Sequence, residues 1–294
     1  MEVIAAQLFA GASIGSVLLL AALGLSLTFG QMGVINMAHG EFMMAGAYTA
    51  FVLRGLIGDP NISLPLALVV GFGVGGLLGL ILHRSLLSRM HNRPLDTLLV
   101  TWGVALVLQQ LARDIFGAPN VDVPAPTWLA GPITVFGIGF PKARVFIIVL
   151  AVAAVVGISL VLTRTALGRR IRAVSQNRDL AEVSGISSPR TDDLTFFIGS
   201  GIAGLAGVAL TLLGSVGPTL GQNYIVDAFL VVVVGGLGRV KGAVIAAFGL
   251  GVLQAFVELS LGASLAKVLV LLAVVAFLQI RPQGLVTIRT RSLA

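Results

Sequence analysis

Apolar runs of about 20 residues, each long enough to cross a hydrocarbon core as a helix, recur along almost the whole chain. No soluble fold can bury so many of them. They fall near 4–29, 41–58, 64–83, 96–116, 143–163, 194–216, 243–262 and 264–280, and a shorter run at 228–238 ends in Gly235-Gly236-Leu237-Gly238. The expectation is an all-α polytopic membrane protein of eight full transmembrane helices plus one short or re-entrant helix, with residues 1–294 forming a single transmembrane domain. Only 11% of residues are charged, against roughly 25% in a soluble domain whose surface must face water, so lipid is the solvent. The first run begins without a basic segment and is too long for a cleaved leader, so it is expected to remain as the first span.

Basic residues set the expected orientation, because short cytoplasmic loops carry the excess of Lys and Arg. Arg84, Arg89 and Arg93 share one loop, Arg164, Arg169, Arg170, Arg172, Arg178 and Arg190 another, and Arg281, Arg289 and Arg291 the tail. With Arg239 and Lys241, 14 of the 19 basic residues lie inside when the N-terminus is outside and the C-terminus cytoplasmic. The net charge of +7 is therefore a topology signal and not a nucleic-acid footprint. The longest outside loop is then the Pro-rich stretch 117–142. Gly11 and Gly15, and Gly71, Gly75 and Gly79, recur four apart, the spacing that lets membrane helices approach closely.

Two stretches interrupt the apolar pattern with polar residues and glycines. Residues 30–41 carry Gln31, Asn36, His39 and Glu41 among three glycines. Ionisable groups at membrane depth are costly and usually face a pathway; the alternative is a cytoplasmic turn in which Glu41 favours a helix N-terminus. The second stretch has Gly217-Pro218, then Gln222, Asn223, Tyr224 and Asp227, then Gly235 to Gly242. Short, Gly/Pro-interrupted segments in both halves of a chain point to a transport site. Gln109 and Gln110 either line a pore or cross-link helices. Glu258 and Lys267 either belong to the interior or snorkel outward.

The loop 164–193 is long for a compact bundle yet ordered in pattern: Asn177 or Asp179 can cap a short helix through Glu182, and Gly185 can end it. It suits docking to a partner or lying on anionic lipid. No phosphate-binding GxxxxGK[ST] motif occurs, nor HExxH. Three histidines and no cysteine offer no metal cluster. An enzyme is not expected.

Gly33 to Met44, Gly168 to Ile186, Val231 to Gly242 and Arg281 to Leu285 occur in the order of corresponding motifs in permease subunits of branched-chain amino acid and related ABC importers, and the chain resembles that family over nearly its whole length. Pro94 to Gly103, Gln109-Gln110, Phe116 to Val121, Tyr224 to Phe229 and the closing Thr290 to Leu293 are more similar to the urea-type permease. The resemblance implies one permease domain over 1–294 in a bacterial inner membrane, with 164–193 as its coupling loop. It also implies a second homologous permease, two cytoplasmic ATPases that bind the ATP and Mg, and an extracytoplasmic solute-binding protein. Transport is by alternating access, and the chain itself carries no cofactor. Asn36, His39, Glu41 and Gln109 are then expected on the solute path, Asn223, Tyr224 and Asp227 at its outer mouth, and Arg172, Ala173, Asn177, Ala181 and Gly185 in the docking loop. Urea or a short amide is the expected solute, with branched-chain amino acid import and a passive urea channel as alternatives.

Overall fold

The computed structural model describes residues 2–90, 93–135 and 138–286. Arg289, Arg291 and the stretch Thr290 to Leu293 lie outside the described residues. The helices are α1 (Glu2–Met32), α2 (His39–Ile57), α3 (Pro60–Ser85), α4 (Pro94–Phe116), α5 (Lys142–Arg164), α6 (Ala166–Gln176), α7 (Arg178–Val183), α8 (Ser188–Leu210), α9 (Leu220–Gly235) and α10 (Val240–Ile280).

Six of these are long and apolar enough to cross a membrane: α1, α3, α4, α5, α8 and α10. The expected eight full spans differ in two places. The run 41–58 becomes α2, a 19-residue helix that carries His39, Glu41 and Arg54 and so falls short in apolar content. The runs 243–262 and 264–280 are counted together in the 41-residue α10, as two helical segments that meet at a kink. Gly262 interrupts α10 with φ 79° and ψ 165°, a backbone that residues with a Cβ rarely adopt. The short run differs as well. It begins at Leu220, not near 228, so Asn223, Tyr224 and Asp227 are helical.

The 117–142 loop contains a feature that hydropathy does not reveal, a hairpin of β1 (Pro132–Val135) and β2 (Ile138–Pro141) in antiparallel register, Pro132 opposite Pro141. Phe140 packs on Phe9 of α1 with ring centroids 4.5 Å apart. Asp59 caps α3 by accepting the Asn61 N–H at 2.9 Å, with Pro60 at the first helical position, where its missing N–H costs nothing.

The central helix is α1, whose Leu19 to Leu23 are buried on all sides. Around it the packing is reciprocal. Helix α1 lies on α10 as α8 lies on α3, α9 lies on α1 as α2 lies on α8, and α9 lies on α10 as α2 lies on α3. The glycine rows are the contact surfaces. Gly71, Gly75 and Gly79 face Val208, Gly204 and Ser200 of α8, and Gly11 and Gly15 face Val252 and Phe248 of α10. Lipid has no advantage over leucine as a solvent for leucine, so close van der Waals packing over small residues is what holds such helices together. Large apolar side chains on the outer faces, such as Leu99, Leu106 and Leu111 of α4 and Val149, Val152 and Val156 of α5, stay exposed for the bilayer.

Candidate functional site

Two helix interruptions define the site. At the first, Gly33 adopts φ 64° and its N–H donates to the Phe29 carbonyl at 2.8 Å, which ends α1. Residues 33–36 then run without helical structure, and a turn at Met37-Ala38 leads to His39, where α2 starts. Exposed backbone polar groups are not tolerated in hydrocarbon, so a break at depth must be covered by protein. Thr101 of α4 does this: the Met37 N–H donates to its Oγ1 at 3.0 Å, and Thr101 lies 3.3 Å from the Ile35 carbonyl. Asn36 Oδ1 accepts the Ala38 N–H at 3.1 Å, which places Asn36 in the break and not on a helical face. At the second interruption α8 ends at Leu210, residues 211–219 turn, and α9 starts at Leu220. Val216 exchanges two backbone bonds of 2.8 Å with Val121, which clamps this segment to the loop after α4.

The two helices that restart meet at their beginnings. Gly40 and Gly221 are each the second residue of their helix, and a Cβ on either would lie against the carbonyl of the other. The N-terminal ends of α2 and α9, both carrying partial positive charge, thus converge on one point.

Around that point the expected path residues separate into two groups. Asn36, His39, Glu41 and Gln109 are all buried. Gln109 Nε2 donates to Glu41 Oε1 at 2.9 Å, so Gln109 links α4 to α2. His39 Nε2 lies 3.1 Å from the Ala21 carbonyl of α1 and carries the proton this bond requires. Asn36 Nδ2, His39 Nδ1 and Glu41 Oε2 have no partner among the described residues. Removing the partner of a buried polar group costs about 1–3 kcal/mol. Gln109→Leu is therefore expected to destabilise the protein by about that amount, read as a lowered thermal midpoint in detergent, whereas Gln110→Leu, on an exposed amide bonded to Asp114, leaves the midpoint unchanged.

Asn223, Tyr224 and Asp227 line a cavity of about 640 Å³ between α1, the start of α5, α9 and α10. Gln7, Arg144, Gln254, Glu258 and Lys267 complete its polar wall. Asp227 pairs with Lys267 at 3.7 Å. A smaller cavity of about 190 Å³ adjoins it on the α8–α9 turn, sharing Leu213, Asn223 and Tyr224. Glu258 and Lys267 flank the interruption of α10 and both face this space. Sequence reasoning passed over Gln7, Arg144 and Gln254. The available signal was a lone polar residue inside an apolar run, as at Gln7 and Gln254.

Of the 164–193 stretch, residues 166–183 fold as two short helices and 188–193 form the first turns of α8. Thr165 caps α6 and Asn177 caps α7, accepting the Leu180 N–H at 3.0 Å. Gly185 ends α7 at φ 82°, its N–H donating to Glu182 at 2.9 Å. Ala181 is buried, Ala173 half-buried, and the Arg172 guanidinium closes back on the Leu162 carbonyl of α5. The expected docking residues therefore shape the element, while Leu180 and Val183 present its outer face, 64% and 88% exposed.

A multi-pass bundle of apolar helices, with two of them interrupted at a shared contact beside a polar cavity, is the architecture of a membrane permease. The sequence profile of the family described as branched-chain amino acid transport system / permease component matches residues 7–278, and the chain belongs to this family. It is similar to the high-affinity branched-chain amino acid transport system permease LivH of Escherichia coli, 27% identical over 95% of this chain and 94% of that protein. It is also similar to BraD of Pseudomonas aeruginosa, 29% identical over 95% and 94%. A probable LivH of Methanocaldococcus jannaschii is 28% identical over 92% and 88%. No solved structure matches the chain.

Proposed function

We propose that this chain is the permease subunit of an ATP-driven importer and works by alternating access about its two interrupted helices. The observation that carries this reading is the meeting of the α2 and α9 N-termini at Gly40 and Gly221, adjoining a polar cavity walled by α9 and the interrupted α10. In this reading the cavity is the outward vestibule, loaded by an extracytoplasmic binding protein. Glu41, His39, Asn36 and Gln109 lie in the closed part of the path and open when α2 and α9 separate. Residues 164–193 are the cytoplasmic socket for an ATPase, which supplies the nucleotide chemistry that this chain lacks, and a second permease completes the membrane core. The N-terminus is then outside and the C-terminus cytoplasmic, with α10 crossing twice about Gly262.

For the solute, branched-chain amino acids are the first reading. LivH and BraD are named for them. The cavity also offers both charge signs, Arg144 and Lys267 against Asp227 and Glu258, beside Ile14, Val17 and Leu259. That combination suits a zwitterion with an aliphatic side chain. Urea or a short amide is the second reading. It is favoured by the pairing of Asp227 with Lys267, which leaves the neutral groups of Gln7, Asn223, Tyr224 and Gln254 to face a neutral solute rich in N–H donors. Reconstitution with its ATPase and binding protein, followed by uptake of labelled leucine and labelled urea, decides between them. ATP-dependent uptake of one and not the other is the expected result. Flux of either without ATP would overturn the importer reading in favour of a channel.

A further inference from the structure

The base of α8 joins the docking element to the first helix interruption through one wholly buried carboxylate, Asp192. Its Oδ1 accepts Gln31 Nε2 at 2.7 Å, and its Oδ2 accepts the Arg178 guanidinium. Arg178 is the first residue of α7, the short helix that presents Leu180 and Val183. Gln31 is the penultimate residue of α1, two positions before Gly33, where the chain leaves the helix. The neighbouring carboxylate serves a different element: Asp193 accepts His83 Nδ1 at 2.8 Å and Arg84 Nε at 2.7 Å, both at the end of α3.

We propose that Asp192 is a positioning residue that transmits displacement of α7 to the end of α1, and so to the interruption between α1 and α2. The proposal rests on the reading of 164–193 as the ATPase socket. Two physical points favour transmission over simple stabilisation. Burying an ion pair gains little stability, because the cost of desolvating both charges offsets their attraction, so such a pair is a weak stabilising device and a better means of fixing register. Hydrogen bonds also weaken steeply once distance and angle leave a narrow range, so Asp192 cannot follow α7 and leave Gln31 unaffected. The Gln31 Oε1 atom has no partner among the described residues, so the donor bond to Asp192 is the polar tie that orients this side chain.

The test uses the full chain assembled with its ATPase and binding protein in proteoliposomes, with solute moved per ATP hydrolysed as the readout. Gln31→Met keeps the length of the side chain and removes its donor; Gln31→Lys returns a donor. Gln31→Met is expected to lower the ratio roughly tenfold, within the range typical of energetic coupling between two sites, while the ATPase still copurifies. Gln31→Lys is expected to restore most of the ratio. A Gln31→Met protein with an unchanged ratio, or Met and Lys variants impaired alike, would overturn the proposal, because loss of packing does not depend on a donor. Arg178→Met, on the half-exposed arm of the network, gives a second reading: a reduced ratio supports transmission and an unchanged one overturns it. If the unaltered chain retains no ATPase, the socket reading fails and the proposal with it. If the ATPase is retained and the ratio never moves, transmission alone fails.

Discussion

Gly221→Val is expected to abolish solute uptake in a chain that still reaches the membrane. A Cβ at Gly221 meets the Gly40 carbonyl and lies 2.8 Å from the Glu41 backbone nitrogen, and a Cβ at Gly40 meets the Gly221 carbonyl. These obstacles are backbone, so no rotamer change relieves them and the helices must move apart. Forcing extra methylenes into a packed interior typically costs about 1–3 kcal/mol. Here the strain falls on the contact about which α2 and α9 are proposed to separate. Uptake below about a tenth of the unaltered level corresponds to the lower half of that range. Gly249→Val provides the control, since a Cβ there meets nothing within 4 Å, and it should transport normally. The pair Gly40→Ala and Gly221→Ala should be less than additive, because both demand the same helix separation and contacting residues couple. Strict additivity would mean that the two glycines do not share one function.

The second large effect is expected at α7. Leu180 and Val183 lie three residues apart on one helix and so share a face, and both are strongly exposed. Exposed apolar residues on a rigid projection are the anchors a protein partner uses, and a buried anchor typically contributes 2 kcal/mol or more. Replacing both with Asp should therefore remove roughly 4 kcal/mol, close to a thousandfold in affinity. The measurement is recovery of the ATPase with the chain in detergent, together with ATP-driven uptake. If α7 instead rests on anionic lipid, the double variant keeps its ATPase. Arg172 acts at a different level. Its guanidinium closes the corner between α5 and α6, so charge reversal there is expected to act through the shape of the loop.

Much of this architecture was legible in local patterning. Apolar runs marked the helices because transfer into lipid is a sum over consecutive side chains. The interruptions at 33–38 and 211–219 lie where glycine, proline and polar residues cluster. The capped helix at 178–183, ended by Gly185, follows from short-range hydrogen bonding at Asn177. The departures have local causes too. Leu220 to Asp227 looked like a loop because its polar residues dilute the apolar signal, although its single glycine, Gly221, lies in the first turn of the helix, where it interrupts nothing. At Gly262 the backbone leaves the helix, so α10 consists of two helical segments, in keeping with its two apolar runs.

By itself, then, the sequence determined a polytopic helical permease, the first of its helix interruptions, and the absence of a phosphate-binding motif. Only the tertiary structure decided which polar groups meet. Gln109 faces Glu41 across 68 residues and Gln31 faces Asp192 across 161, and the cavity draws its wall from Gln7 through Lys267. Hydropathy depends on the solvent around each residue in turn. Encounters between side chains depend on the rotation and tilt of whole helices, which close packing over Gly40, Gly204 and Gly221 sets.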